Sequence, residues 1–324
     1  MSHPGGNAGL LSDRQVDIIA TRLAERMSGG RPTAPAPAST PVPPRRTSPS
    51  APREALGEGV FATVDDAVNA ANAAFREFDG MSLEKRQKII ASIRESMFEN
   101  AEELARFAHA ETGLGRVEDK VVKNRLVTRK TSGTEVLTPH AVTGDNGLTL
   151  TEYAPYGVIG AITPTTNPTS TIICNTIAMV AAGNSIVFNV HPNARDCSMA
   201  NVRLIHQAIT RAGGPANLVT AVATPTIESA QELMGHEGVR LLAVTGGSGV
   251  VRQAMTSGKR AICAGPGNPP VVVDATADLE HAARSIVAGA SFDNNFVCVD
   301  EKEVIAVESI IDELIQRMGR NGAH

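Results

Sequence analysis

The 324-residue chain has no tryptophan and only two tyrosines beside eight phenylalanines. Without a row of aromatic faces it offers no platform on which exposed bases would stack. A formal charge of -4 supplies no basic field for a phosphate backbone, so nucleic acid is not an expected partner. The four cysteines, Cys174, Cys197, Cys263 and Cys298, form no Cys-x-x-Cys pair, which gives no support to a zinc site or a disulfide framework. With no signal peptide ahead of them, a reducing cytoplasm is the expected compartment. The apolar runs near 158–162, 172–182 and 271–273 are short and interrupted by Gly, Asn and Thr, so no membrane span is expected. The dinucleotide fingerprint Gly-x-Gly-x-x-Gly is missing after the early strands as well.

What is present falls into a tail and a body. Residues 11–27, "LSDRQVDIIATRLAERM", carry Val16, Ile19, Leu23 and Met27 on one helical face, with Ser12 and Gln15 placed to cap it. Eight prolines follow between positions 32 and 52, the composition of an extended spacer. A lone helix of this length is marginal in water, so residues 1–28 read as a docking peptide and 29–58 as its linker. The alternative is that the helix folds back on its own body.

From Phe61 onward the pattern predicts packed helices, opened by Thr63, by Ser82 and by an Asn100/Glu103 capping box, with a more basic segment over 116–130. Strand signals begin in 148–164. They continue as strand 158–163, helix 170–182, strand 185–190, helix 195–212, strand 218–222, helix 227–235, strand 240–244 and helix 248–257. Short apolar strands alternating with longer helices predict an α/β fold with a doubly wound parallel sheet. This cofactor-binding unit is placed at 59–268, with a strand extension at 145–157. A second α/β catalytic unit begins at 269–324: a strand at "VVVD", a helix over 278–288, the Cys298 loop, a strand at 303–307 and a helix at 308–318.

Two strand-to-helix turns are candidates for phosphate or ribose. In "LLAVTGGSGVVRQA" Gly246 and Gly247 let backbone amides approach an anion, and Ser248 adds a hydroxyl at the positive end of a helix. In "VFNVHPNA" His191 is placed either to touch a ribose or adenine or simply to cap the next helix. Cys298 lies between two valines, the setting of a packing residue. The polar run Ser291-Phe292-Asp293-Asn294-Asn295 ahead of it is an odd entry into a core, so position alone leaves packing and nucleophile both open. The other three cysteines read as packing residues.

Taken in order, "YAPYGVIGAITPTTNPTSTIICN", "VFNVHPNA", "VTGGSGVV", "AGPGNPPVVVD" and "GASFDNNFVCVDEKEVIAV" resemble the CoA-acylating aldehyde dehydrogenases, especially the acetaldehyde and propionaldehyde enzymes of bacterial microcompartments. The resemblance implies that Cys298 is the nucleophile and Asn167 an oxyanion donor. It places NAD, with NADP left open, against Thr163, Pro164, Thr165, His191, Thr245, Gly246, Gly247 and Ser248. It also implies coenzyme A as co-substrate: where hydrolytic relatives carry a Glu-Leu-Gly-Gly stretch, this chain has Ala264-Gly265-Pro266-Gly267-Asn268, without a carboxylate to activate water. The family further implies a homo-oligomer and attachment of residues 11–27 to a microcompartment shell protein.

Members of that family continue well beyond the position of His324, so the catalytic layer is expected to be incomplete in this sequence. Two other readings stand beside the acylating one. They are a catalytically impaired relative that binds nucleotide and shell protein, and a non-acylating aldehyde dehydrogenase.

Overall fold

A computed structural model describes residues 56–324. The amphipathic helix expected over 11–27, with its docking face, and the proline-rich stretch to residue 55 lie outside the described residues. The body opens with a two-residue strand, β1 (Val60–Phe61), and four helices, α1 (Val64–Asp79), α2 (Leu83–Glu99), α3 (Ala101–Thr112) and α4 (Val117–Lys130). Thr63 and Ser82 cap as expected: their hydroxyls accept from the backbone N–H of Asp66 at 3.1 Å and of Lys85 at 3.3 Å.

Asn100 does not form the expected capping box. Its side-chain amide donates back to the Ser96 carbonyl at 2.7 Å, closing α2 rather than opening α3. With a single residue between the helices, its backbone stays near φ -90°, ψ 8°, away from the extended conformation that an N-cap side chain needs.

The main sheet is built from β1, β4 (Val158–Ile162), β5 (Ser185–Asn189), β6 (Val219–Val222), β7 (Leu241–Thr245) and β8 (Ala261–Ala264), in the order β1-β6-β5-β4-β7-β8. Every neighbouring pair is parallel. The chain lays β4, β5 and β6 outward to one side, then crosses back to place β7 and β8 on the other. The crossovers are α5 (Pro168–Ala181), α6 (Arg195–Arg211), α7 (Ile227–Gly235) and α8 (Ser248–Thr256).

All residues of β4, β5 and β6 are buried, the signature of a sheet covered on both faces. The two faces feed different cores. Ile186 and Phe188 of β5 pack with Phe78, Ile89, Ile93, Met97 and the isoleucines of α5, whereas Val187 between them packs with Val68, Leu233 and Leu242. Each such side chain, fully withdrawn from water, contributes about 1.5–3 kcal/mol before entropy is charged against it.

Besides the two-residue β1, two further elements were not foreseen. β8 has half-exposed and exposed residues in alternation and is only four residues long, too weak a pattern to read; Cys263 on it packs against the second core. β2 (His140–Gly144) and β3 (Gly147–Thr151) pair antiparallel as an exposed hairpin, of which the sequence signalled only the second strand.

After residue 269 the chain forms a two-stranded parallel sheet from β9 (Pro270–Val273) and β10 (Glu303–Ala306), joined through α9 (Leu279–Ser291) and followed by α10 (Ile311–Arg320). Val273, Ala283, Ile286 and Leu314 form its small core. No helix among the described residues is long and apolar enough to cross a membrane.

Candidate active site

The strand order puts a topological switch between β4 and β7, and ligands of doubly wound sheets sit outside the carboxyl ends of the strands at such a point. Three expected contact segments lie there: Thr163-Pro164-Thr165 directly after β4, Thr245-Gly246-Gly247-Ser248 at the end of β7, and His191 just after β5.

Several features fit a dinucleotide. The hydroxyls of Thr163 and Thr165 are buried without a hydrogen-bond partner, an expensive state unless a ligand supplies one. Gly247 faces open space, whereas a side chain on Gly246 would meet Val250 at 2.7 Å, so the turn keeps its tight backbone. His191 caps a short 3-10 turn: its Nδ1 accepts from the Asn193 N–H at 3.1 Å. Burial also holds its pKa below the ordinary value, keeping the ring neutral so that Nδ1 remains an acceptor.

Cys298 is exposed. It sits at the tip of a tight turn closed by the Asp300 N–H donating to the Val297 carbonyl at 3.2 Å. Cys197 is its opposite: buried in α6, its thiol is pushed far above the ordinary range by burial and then by Glu111. The turn is built from an unusual backbone. Asp293, Asn294 and Asn295 are consecutive left-handed residues with φ of 47°, 55° and 61°, and none is glycine. Lys302 braces them, donating to the Asn295 side chain, to the Asn295 carbonyl at 3.1 Å and to the Val297 carbonyl at 3.3 Å.

Asn167 stands at the N-terminus of α5, two residues after Thr165. Its amide N–H groups donate to the Phe296 carbonyl at 3.1 Å and to Thr166 Oγ1 at 3.2 Å. The N-terminus of α5 and the thiol loop are therefore joined through Asn167, whose bond to the loop is made two residues before Cys298.

Sequence reasoning found no basic partner near Cys298 because it looked along the chain. The structure brings two lysines from α4 to Asp293, the first left-handed residue of the loop. Lys123 donates to the Asp293 carboxylate and to Asn167 Oδ1, and Lys120 reaches Asp293 at 3.3 Å and the Thr166 carbonyl at 3.4 Å. Burial depresses the Lys123 pKa, partly offset by its bond to Asp293. Asp300, also buried, is pushed upward by desolvation, and one of its oxygens has no partner. In the stretch 264–268, which carries no carboxylate, Asn268 donates to Glu303 Oε1 at 3.1 Å across the edge of β10.

A parallel doubly wound sheet with a Gly-rich turn at its switch point, tied through Asn167 to a loop that exposes a thiol, defines a class of Rossmann-like nucleotide-binding folds that present a cysteine. The comparisons with known proteins narrow this class. Residues 55–322 match the model of the aldehyde dehydrogenase family, and the chain belongs to that family. It is 54% identical over 266 residues to the acetaldehyde dehydrogenase (acetylating) of Bilophila wadsworthia, a match covering 82% of this chain and 54% of the relative.

It also superposes with a TM-score of 0.80 on the propionaldehyde dehydrogenase of Rhodopseudomonas palustris solved with bound CoA and an acylated cysteine, at 51% identity, covering 83% of this chain and 62% of that one. An engineered glycolyl-CoA reductase with bound NADP+ gives a TM-score of 0.80 at 50% identity, covering 83% of this chain and 62% of that one. The chain is thus closely related to the CoA-acylating members of the family, and it spans 54–62% of the length of these relatives.

Proposed function

We propose that the protein oxidises a short-chain aldehyde, acetaldehyde or propionaldehyde, to its acyl-CoA, with NAD or NADP as the oxidant, and that the reaction runs in both directions. The observation that carries this reading is the exposed Cys298 at the tip of a turn anchored to Asn167. The Cys298 thiolate attacks the aldehyde carbon. A C–S bond forms while the carbonyl pair moves to oxygen, giving a hemithioacetal oxyanion.

That charge is met by the Asn167 amide and the Cys298 backbone N–H, with the positive end of α5 behind them. Of the two bonds the amide makes, the one to Thr166 Oγ1 is the one exchanged for the oxyanion, because the bond to Phe296 holds the loop. Thr163–Thr165, His191 and Thr245–Ser248 would hold the dinucleotide, which would supply the acceptor for the hydride leaving the former aldehyde carbon. Cys298 then carries the acyl group as a thioester. Residues 264–268 offer no carboxylate to activate water, so the thiol of coenzyme A gives up its proton to solvent, its sulfur takes the acyl group and Cys298 leaves as thiolate.

The relative solved with CoA and an acylated cysteine supports this order of events. On the same footing, residues 11–27 dock the protein on a microcompartment shell protein in the cytoplasm. Chains self-associate, for which the exposed Val142, Leu148 and Leu150 of the β2–β3 hairpin offer apolar surface.

The test is NADH formation from propionaldehyde with and without CoA, together with intact mass. CoA-dependent turnover and an acyl adduct lost in Cys298→Ala support the proposal. Equal turnover without CoA points to a hydrolytic enzyme, and nucleotide binding with no adduct to a non-catalytic relative. Asn167→Ala should slow acylation by about 100- to 1,000-fold with nucleotide affinity nearly unchanged.

A further inference from the structure

We propose that Lys123 is a positioning residue for this chemistry: from α4 it sets the orientation of the Asn167 amide and ties it to the buried Asp293 at the root of the Cys298 loop. The inference rests on the reading of Cys298 as nucleophile.

The donor and acceptor inventory fixes the geometry. A lysine ammonium can only donate, so the group it meets on Asn167 must be the carbonyl oxygen Oδ1. The Phe296 carbonyl can only accept, so the other end must be the amide nitrogen. The amide is therefore specified from both sides, its N–H end toward the segment that carries Cys298. A cation on Oδ1 also polarises the amide and strengthens its N–H as a donor to developing negative charge.

Charge balance alone does not explain this lysine. Without it the Asp293 carboxylate still has Lys120 at 3.3 Å and the Arg116 backbone N–H at 2.7 Å. Burying a second ammonium costs desolvation, which a lone counter-ion role for Asp293 does not require. What Lys123 adds is the link to Asn167. Gly115 belongs to the same design, because a side chain there would collide with the Asp293 carboxylate.

The experiment compares Lys123→Met, Lys123→Gln, Asn167→Ala and the Lys123→Met/Asn167→Ala double variant in the purified protein. Lys123→Met should lower kcat about 10- to 100-fold while KM for aldehyde and dinucleotide stays within about twofold, since the loss arises in the transition state. Lys123→Gln, which retains an N–H donor, should recover part of it.

In the double variant the Lys123→Met loss should nearly vanish, because it acts through an amide that is no longer there. Amide hydrogen exchange should quicken at least about threefold in a peptide covering 292–300, with α4 and α5 unchanged. Losses that multiply in the double variant, or exchange that quickens throughout α4 and α5, would show a purely structural role and overturn the proposal. Wild-type kcat and exchange in Lys123→Met would overturn it too. If the wild-type protein forms no thioester, the functional reading falls and the exchange pattern alone decides the role of Lys123.

Discussion

Asp300 closes the Cys298 turn with its backbone and pays for that position with its side chain. The carboxylate is buried, one oxygen lacks a partner, and desolvation raises its pKa above 3.8. In the unfolded chain the same group ionises freely. The folded state therefore holds the proton more tightly, and the stability this represents is present below the ordinary value and lost as pH rises through the raised one. At neutral pH the buried charge is a liability. Asp300→Asn should raise the melting temperature by about 2–4 °C at pH 7, the equivalent of about 1 kcal/mol in a body of this size. The gain should disappear near pH 3, where the Asp300 carboxyl is largely protonated in the folded and the unfolded chain alike. Thermal melts at the two pH values check the sign, and a variant less stable than wild type at pH 7 would mean that the unpartnered oxygen is satisfied in solution.

At the scale of elements, α4 shows why part of the site escaped the sequence. Helices are read from apolar periodicity, and α1 and α6 were legible because alanines, valines and isoleucines recur on one face. The buried residues of α4 are instead Lys120, Lys123, Asn124 and Thr128. A polar face reads as solvated, so the segment looked merely basic, and its contacts with Asp293 lie some 170 positions away in the chain. The Gly-rich turn after β7 and the strand ends carried local signals and fell where expected. The left-handed run 293–295 left no such mark, because asparagine and aspartate tolerate that conformation without the glycine that would advertise it.

Asn124 tests how much the polar face contributes. Its side chain donates to the Ala101 carbonyl at 3.1 Å and accepts from the Thr169 hydroxyl at 2.9 Å, joining α3, α4 and α5. Asn124→Ala strands both partners in the interior and should cost about 2–4 kcal/mol of unfolding free energy, measured by urea titration. A loss below about 0.5 kcal/mol would show that water replaces both bonds.

At the scale of the molecule, the described residues divide their apolar material unevenly. Two large cores sandwich the six-stranded sheet, while the region that carries Cys298 is held by four buried residues, Val273, Ala283, Ile286 and Leu314. β9 and β10 leave Val272, Val304 and Ile305 exposed, so this small sheet has little burial to oppose local opening. The thiol loop is then stabilised from two directions: through α9 by the small core, and through Asp293, Phe296 and Asn167 by the large one. Leu314→Ala separates them. Removing one of the two four-carbon side chains of the small core should cost about 2–3 kcal/mol locally. Hydrogen exchange in β9 and β10 should accelerate about 30-fold or more, while β4, β5 and β6 keep their protection because their core is untouched. Residues 293–297 should accelerate less than β9 and β10, since their ties to α4 and Asn167 survive the change. Uniform acceleration across the main sheet would instead make the two regions a single cooperative unit, with the thiol loop only as stable as the whole.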